Sequence, residues 1–262
     1  MEIVFLGTGG GRVNLIKQLR WTGGFRINSN SANIHVDPGP GALIHGIELH
    51  QDPMKLDAII VTHYHVDHYN DASLLIEAMT GYALKQKGVF IGSGYLFEDD
   101  KGDRPISKYH LSKPKEVYIG KPGVRRKFET SKGFFEIEFC PTKHDDPTGF
   151  GFKLHIDGKT IGYTSDTELT DKVAASYSGC DYLIINCLKP TKDGIPDHLE
   201  TSDVIKIVSV SKPKLAILSH MGLKMLRAGP ESEARKIEDA TGIRTVAAKD
   251  GQIFGKGLES FL

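Results

Sequence analysis

Between residues 62 and 68 the chain reads Thr-His-Tyr-His-Val-Asp-His, setting four side chains able to bind a metal, His63, His65, Asp67 and His68, within six positions. The run directly follows Asp-Ala-Ile-Ile-Val-Thr at 57–62, the apolar pattern of a buried strand. His63 and His65 stand two apart and share a face in extended backbone. Asp67 and His68 fall in the turn beyond and can point elsewhere, so one turn can feed two metal ions. Side chains this costly to bury, gathered at a strand end, suit a site better than a core. Of the eleven histidines, His35, His45, His50, His110 and His155 are scattered and read as ordinary core or surface residues.

The pattern His63-x-His65-x-Asp67-His68 resembles the signature of the metallo-β-lactamase superfamily, and matching residues run along nearly the whole chain. Asp37 in Asp37-Pro38-Gly39 matches the family's early aspartate, which orients the metal turn from behind. His144 in Thr142-Lys143-His144, Asp166 in Thr164-Ser165-Asp166 and His220 in Leu218-Ser219-His220 match its later ligands, and Asp250-Gly251-Gln252 its closing strand pair. The resemblance implies that His63, His65 and His144 hold one metal and that Asp67, His68 and His220 hold a second. Asp166 would bridge the two. Imidazole with carboxylate suits zinc first, with manganese and iron as alternatives. Histidine rather than glutamate at position 65 argues against the family's oxygen-reducing di-iron branch.

Asp166 lies 22 residues after His144, which leaves no room for the long RNA-clamping arm of the family's transfer-RNA 3′-processing nucleases. His198, in Pro196-Asp197-His198, matches a histidine that faces the metals and helps proton transfer in those nucleases and in the cyclic phosphodiesterases of the phosphonate pathway. The closer likeness is to the small phosphodiesterases, although their cysteine-rich zinc site has no counterpart here: no cysteine precedes Cys140. The resemblance thus implies hydrolysis of a small or cyclic phosphodiester, with His198 and Asp67 as catalytic groups. Two ions about 3.5–4 Å apart would activate water as hydroxide and clamp the oxygens of an in-line displacement. The alternatives are a nuclease acting on RNA or single-stranded DNA, and a hydrolase of a carboxylic ester, thioester or lactone. A metal-binding protein without activity is a further rival, set against the full ligand set.

The elements that must position these groups are legible in outline. Ile3 to Leu6 reads as a strand running into Gly7-Thr8-Gly9-Gly10-Gly11, a loop for close backbone approach that lacks both phosphate-loop and dinucleotide spacing. Further strands are expected over 25–27, 32–36, 57–62, 89–91, 134–139, 150–156, 160–163, 181–187, 214–219, 244–248 and 252–254. Helical spacing covers 71–84, 202–210 and 230–240, the last opened by Pro230 and closed by Gly242. Strands leading into mixed β and α in both halves suggest a four-layer αββα sandwich, a single domain over residues 1–262. Residues 101–132 carry ten Lys or Arg against three Asp or Glu and three prolines. They are expected to form loops and short edge strands, and Arg125 and Arg126 there are candidate phosphate contacts.

Bulk properties narrow the class further. The 262 residues carry 33 basic and 33 acidic side chains, so no global positive field gathers nucleic acid. Nucleic acid and self-association stay open as partners. Cys140, Cys180 and Cys187 sit in apolar runs and read as buried free thiols of a reducing cytoplasm. No apolar stretch approaches the roughly 20 residues that span a bilayer, and no basic-then-apolar leader opens the chain, so a cytoplasmic location without membrane contact is expected.

Overall fold

The computed structural model describes residues 1–98, 100–191 and 196–255. Six strands come first: β1 (Glu2–Gly7), β2 (Thr22–Asn28), β3 (Asn33–Val36), β4 (Ala58–Val61), β5 (Val89–Gly92) and β6 (Glu116–Ile119). Eight follow: β7 (Arg125–Glu129), β8 (Phe134–Pro141), β9 (Phe150–Ile156), β10 (Lys159–Tyr163), β11 (Tyr182–Lys189), β12 (Leu199–Glu200), β13 (Leu215–Ser219) and β14 (Thr245–Ala247). The last described strand, β15 (Ile253–Phe254), returns to the edge of the first sheet. The first sheet runs β15-β1-β2-β3-β4-β5-β6, the second β14-β13-β11-β10-β9-β8-β7, with β12 beside β11.

Each sheet is antiparallel in one half and parallel in the other. In the first, β3, β4, β5 and β6 run parallel; in the second, β10, β11, β13 and β14 do. Parallel strands deliver their carboxyl ends to one rim, where open α/β sheets place their ligands. Asp37 follows β3, His63 follows β4 closely, Asp166 follows β10 and His220 follows β13 directly. The topology therefore gathers the chemistry before any side chain is considered.

Between the sheets lies an apolar layer in which Phe5, Phe25, Ile34 and Ile60 meet Phe135, Phe139, Phe150 and Phe152. Alternation along the strands supplies it: β8 is buried at Phe135, Ile137 and Phe139 and more open at Phe134, Glu136 and Glu138. Phe139 and Phe150 meet edge to face at 5.0 Å. Full burial of such a side chain stabilises by roughly 1.5–3 kcal/mol. Outside the first sheet the helix Ala72–Met79 packs Leu75, Ile76 and Met79 onto Ile59 and Val61. Outside the second, Thr201–Ser211 and Pro230–Thr241 cover Leu183, Ile185 and Leu218. The four-layer αββα sandwich is thus the observed fold.

Several local expectations change. The helix expected to Leu84 stops at Met79, because Gly81, Tyr82 and Ala83 all take left-handed φ angles of 59°, 60° and 60°. Thr80 marks the stop by bonding its hydroxyl back to the Ile76 carbonyl at 2.7 Å. Helices at Arg12–Lys17, Ala42–Glu48, Asp171–Ala175 and Leu223–Ala228 were not expected; at five to seven residues they are too short to show a period. The basic segment 101–132 does form edges, β6 closing one sheet and β7 the other. All three cysteines are buried and unpaired. No helix among the described residues is long and apolar enough to cross a membrane.

Candidate metal centre

The centre is built outward from Asp37. This residue takes a left-handed φ of 49°, unfavourable for a residue other than glycine, at the point where the chain leaves β3. Its carboxylate repays that strain by accepting four hydrogen bonds: from the Thr62 amide (2.7 Å), the Thr62 hydroxyl (2.8 Å), the Tyr163 hydroxyl (2.8 Å) and His68 Nδ1 (2.9 Å). Asp37 therefore fixes both the start of the histidine turn and the tilt of the His68 ring, leaving His68 Nε2 to face inward.

The same division between a held outer nitrogen and a free inner one recurs. His144 donates from Nδ1 to the Asp197 carbonyl at 3.0 Å, and its Nε2 lies 3.2 Å from His65 Nδ1. His65 turns its other nitrogen to Asp145 Oδ2 at 3.0 Å. His63 has Nδ1 near Thr62 and Ser165, while its buried Nε2 has no hydrogen-bond partner among the described residues. Ligand atoms of His63, His65 and His144 lie within 4.8 Å of one another, as do those of Asp67, His68 and His220. In the second group His68 Nε2 and His220 Nε2 approach to 3.0 Å, and Asp67 Oδ2 is 3.4 Å from His220 Nε2.

Between the groups stands Asp166. Its Oδ1 accepts from Asn186 Nδ2 at 2.7 Å, which leaves Oδ2 facing His68 Nε2 at 3.6 Å and His198 Nε2 at 3.3 Å. His220 Nδ1 is buried and comes only to 3.4 Å from Asp166 Oδ1, outside hydrogen-bond geometry. His220 itself takes a φ of 54°, and a Cβ on Gly10 would sit 2.2 Å from its ring. Gly10 is thus the close backbone approach anticipated for the glycine loop.

Electrostatics agree with a cation-binding centre. Burial would lower the His68 pKa, but Asp166, Asp37 and Asp67 hold it well above its usual value. Burial would raise Asp67 and Asp166, yet the facing histidines, His68 for the first and His220 with His68 for the second, hold both well below theirs. His63 goes the other way, pulled well down by burial and by the charge of His68. Three carboxylates around inward-facing imidazole nitrogens stabilise positive charge, and a buried, unpartnered His63 Nε2 is a lone pair without a use unless it binds something. The residues present fit divalent metal binding.

His198 sits at the lip. Asp197 before it takes a φ of 62°, and His198 Nδ1 donates to the Pro196 carbonyl at 2.9 Å. Burial would lower this histidine, but its contact with Asp166 raises it to about 8. It lines a cleft of about 580 Å³ with Asp67, His144, Asp166 and the cations Arg12, Lys189 and Lys224.

Asp37, the seven expected ligands and His198 are therefore brought together. Arg125 and Arg126 are not. They lie on the edge strand β7, where Arg125 pairs with Glu136 and Arg126 with Glu116 at 2.6 Å, stacked over Tyr118. Their charge is taken up by neighbouring strands, and neither lines the cleft. His35, by contrast, is the satisfied core histidine expected, bonded to the Gly23 carbonyl at 2.8 Å.

Four contributors escaped sequence reasoning. Asp145 orients His65; Asp146 accepts the Tyr64 amide at 3.1 Å and the Ser93 hydroxyl at 2.8 Å, pinning the histidine turn. Asn186 and Tyr163 form a relay: Asn186 Nδ2 also lies 3.0 Å from the Tyr163 hydroxyl, so Asp166 and Asp37 are tied through two side chains. The available signals were the acidic pair directly after His144 and a lone amide in the apolar run Leu183–Leu188. Asn186→Leu removes the Nδ2 donor to Asp166 Oδ1 and Tyr163→Phe removes one donor to Asp37. Each is expected to weaken metal affinity by about 10–100-fold, the usual effect of losing a partner behind the ligands. Competition with a chromogenic chelator checks this; unchanged affinity in both would mean that the relay does not hold Asp166.

Comparison with known proteins agrees with the geometry. The beta-lactamase superfamily domain matches residues 32–221. An uncharacterised protein of Methanocaldococcus jannaschii is 40% identical over 255 residues, 96% of this chain and 93% of that protein. A ribonuclease Z of Thermococcus kodakarensis is 25% identical over 301 positions, covering 95% of this chain and 93% of the relative. Among solved structures, the metallo-beta-lactamase fold protein YhfI from Bacillus subtilis superposes with a TM-score of 0.76 at 21% identity, covering 97% and 98% of the two chains.

Proposed function

The chain belongs to the metallo-β-lactamase superfamily and is a metal-dependent hydrolase, and from that premise we propose that its substrate is a small or cyclic phosphodiester. In this reading His63, His65 and His144 would hold one divalent ion and Asp67, His68 and His220 another, with Asp166 serving both, zinc preferred and manganese or iron as alternatives. Such a pair supplies Lewis acidity and lowers the pKa of water. The protein's own part is orientation and proton handling. Asp37 and Asn186 keep His68 and Asp166 in register, and His198 presents a proton at Nε2.

The observation that carries the reading is His198 Nε2 at 3.3 Å from Asp166 Oδ2, in the cleft and raised to about 8. A phosphodiester with an alkoxide leaving group needs a proton at that oxygen, and a protonated His198 beside Asp166 would supply it, which supports the reading. Size follows from the interval between His144 and Asp166. Strands β9 and β10 occupy it as a hairpin turning at Asp157-Gly158, so no arm projects to clamp a polymer.

The ribonuclease Z relative favours a second reading, cleavage of RNA. A metal-quantified preparation offered a chromogenic phosphodiester, the matching carboxylic ester, a thioester, a lactone, a structured RNA and single-stranded DNA separates the readings. The small diester is expected to be turned over fastest, with a shallow salt dependence. Far better cleavage of either polymer, with rates falling steeply in salt, would replace the small-substrate reading by a nuclease. Preference for the carboxylic ester, thioester or lactone would remove phosphorus chemistry altogether.

A further inference from the structure

His63, His65, His68 and His144 each have the outward ring nitrogen beside a polar partner: the Thr62 hydroxyl, Asp145, Asp37 and the Asp197 carbonyl respectively. His220 is the exception. Its Nδ1 is buried and has no hydrogen-bond partner among the described residues. A metal-binding imidazole almost always donates its second nitrogen to a group that fixes the ring. What fixes the His220 ring is packing instead, and the packing comes from the glycine loop. A Cβ on Gly10 would sit 2.2 Å from Nδ1 and 2.3 Å from Cε1 and Cγ, so the loop backbone lies against the ring.

That loop is bonded at each step. The Gly9 amide donates to the Trp21 carbonyl at 2.9 Å and the Gly10 amide to the Met221 carbonyl at 3.2 Å, while the Met221 amide, next to His220, donates to the Thr8 carbonyl at 2.8 Å. Amides already spent on backbone are not offered to an anion, which leaves the loop a mechanical part. Its anchor is Asp250. Oδ1 accepts from the Thr8 amide at 2.9 Å and the Thr8 hydroxyl at 2.7 Å, and Oδ2 accepts from the Trp21 amide at 2.8 Å. Arg20 Nη1 adds a bond to the Thr8 hydroxyl at 3.1 Å. The turn into β15 sets Asp250 in turn: the Gly251 amide donates to the Phe5 carbonyl at 2.8 Å, and the Phe5 amide to the Gln252 carbonyl at 3.0 Å. Bonds to an ionised carboxylate are roughly twice as strong as neutral ones, so Asp250 holds fully buried Thr8 more firmly than backbone bonds alone would.

Resting on the reading of His220 as a metal ligand, we propose that Asp250 is a positioning residue for the metal centre. Through Thr8 it holds Gly10 and Met221 where they orient His220, and so sets how tightly the group of Asp67, His68 and His220 binds its ion. A carboxylate 30 positions beyond the ligand thereby governs the centre without touching metal or substrate.

The test pairs metal binding with a readout on metal-free protein. In a cobalt(II) titration followed by calorimetry and visible absorption, Asp250→Ala is expected to weaken one of two equivalents by about 10–100-fold, as for other partners behind the ligands. The other equivalent should bind as in the wild type. Asp250→Asn should fall between, because it keeps an acceptor for Thr8 but turns an N–H towards the Trp21 amide. Thr8→Val, which loses only the hydroxyl, should weaken the same equivalent, and Thr8→Ser should restore it. Where Asp250→Ala fails to fold, Asp250→Asn and Thr8→Val carry the comparison. In the metal-free protein the His220 ring signals in proton–nitrogen spectra should move in these variants, with those of His63 and His144 in place. A loss of stability alone lowers the melting temperature without separating the two equivalents or singling out one histidine. Equal weakening of both equivalents, weakening of neither, or unmoved His220 signals would overturn the role of Asp250. If the wild type takes up a single ion, the two-metal reading falls and the ring signals decide: selective movement of His220 sustains the positioning role, and no movement removes it.

Discussion

Asp166→Ala protein is expected to retain close to one transition-metal ion per chain where the wild type holds close to two, and to lose activity on a phosphodiester by more than the ~10–100-fold typical of partners behind the ligands. Asp166 is the side chain that faces both ligand groups, with Oδ2 3.6 Å from His68 Nε2 and the carboxylate among the His144 and His198 donors. Removing it also frees Asn186 Nδ2 and leaves His68 and His220 facing each other at 3.0 Å with one fewer negative charge to balance them. Metal content by mass spectrometry, alongside rates, checks the expectation. Two ions retained at wild-type affinity would mean that Asp166 does not bridge.

His198→Ala should lower turnover of a diester with a poor leaving group by about 10²–10⁴, the range for a positioned acid–base group. Its metal content should stay near that of the wild type, since the six ligands and Asp166 remain. The loss should shrink as the leaving group improves, because a good leaving group departs without a proton. The pH dependence has a definite sign. His198 is the acid when protonated, so wild-type turnover falls as pH rises through its pKa. That limb is expected between the ordinary histidine value of about 6.5 and about 8, since a cation at Asp166 competes for the carboxylate that raises it. Wild-type rates from the variant on a poor leaving group, or an alkaline limb unchanged by the substitution, would remove the proton-transfer role.

Much of the centre was readable because metal ligands cluster after strands. His63, His65, Asp67 and His68 are adjacent in sequence, and His144, Asp166 and His220 each sit just past an apolar run. Groups that orient them were harder to see because their contacts are made by sheet packing. Tyr163 meets Asp37 across 126 residues and Asn186 meets Asp166 across 20, and neither residue type at those spacings says so in one dimension. Layer order was legible from the alternation of strands and helices, whereas the helix expected to Leu84 was cut short by a run of left-handed residues whose side chains did not announce it. Arg125 and Arg126 lie outside the cleft for a physical reason: on the edge strand β7 they pair with Glu136 of the adjoining β8 and Glu116 of β6, the edge of the other sheet. Among the described residues the cations that line the cleft, Arg12, Lys189 and Lys224, are dispersed in sequence and come to one cleft where the starts of two helices and the end of β11 are hydrogen-bonded to one another.

The two-metal reading is tested most directly by titrating metal-free wild-type protein with zinc, and separately with manganese, while bound metal and diester hydrolysis are followed in the same sample. Binding is expected to saturate near two ions per chain, with most of the activity arriving with the second equivalent. Saturation at one ion with full activity, or two ions bound with no hydrolysis of any diester, would contradict it.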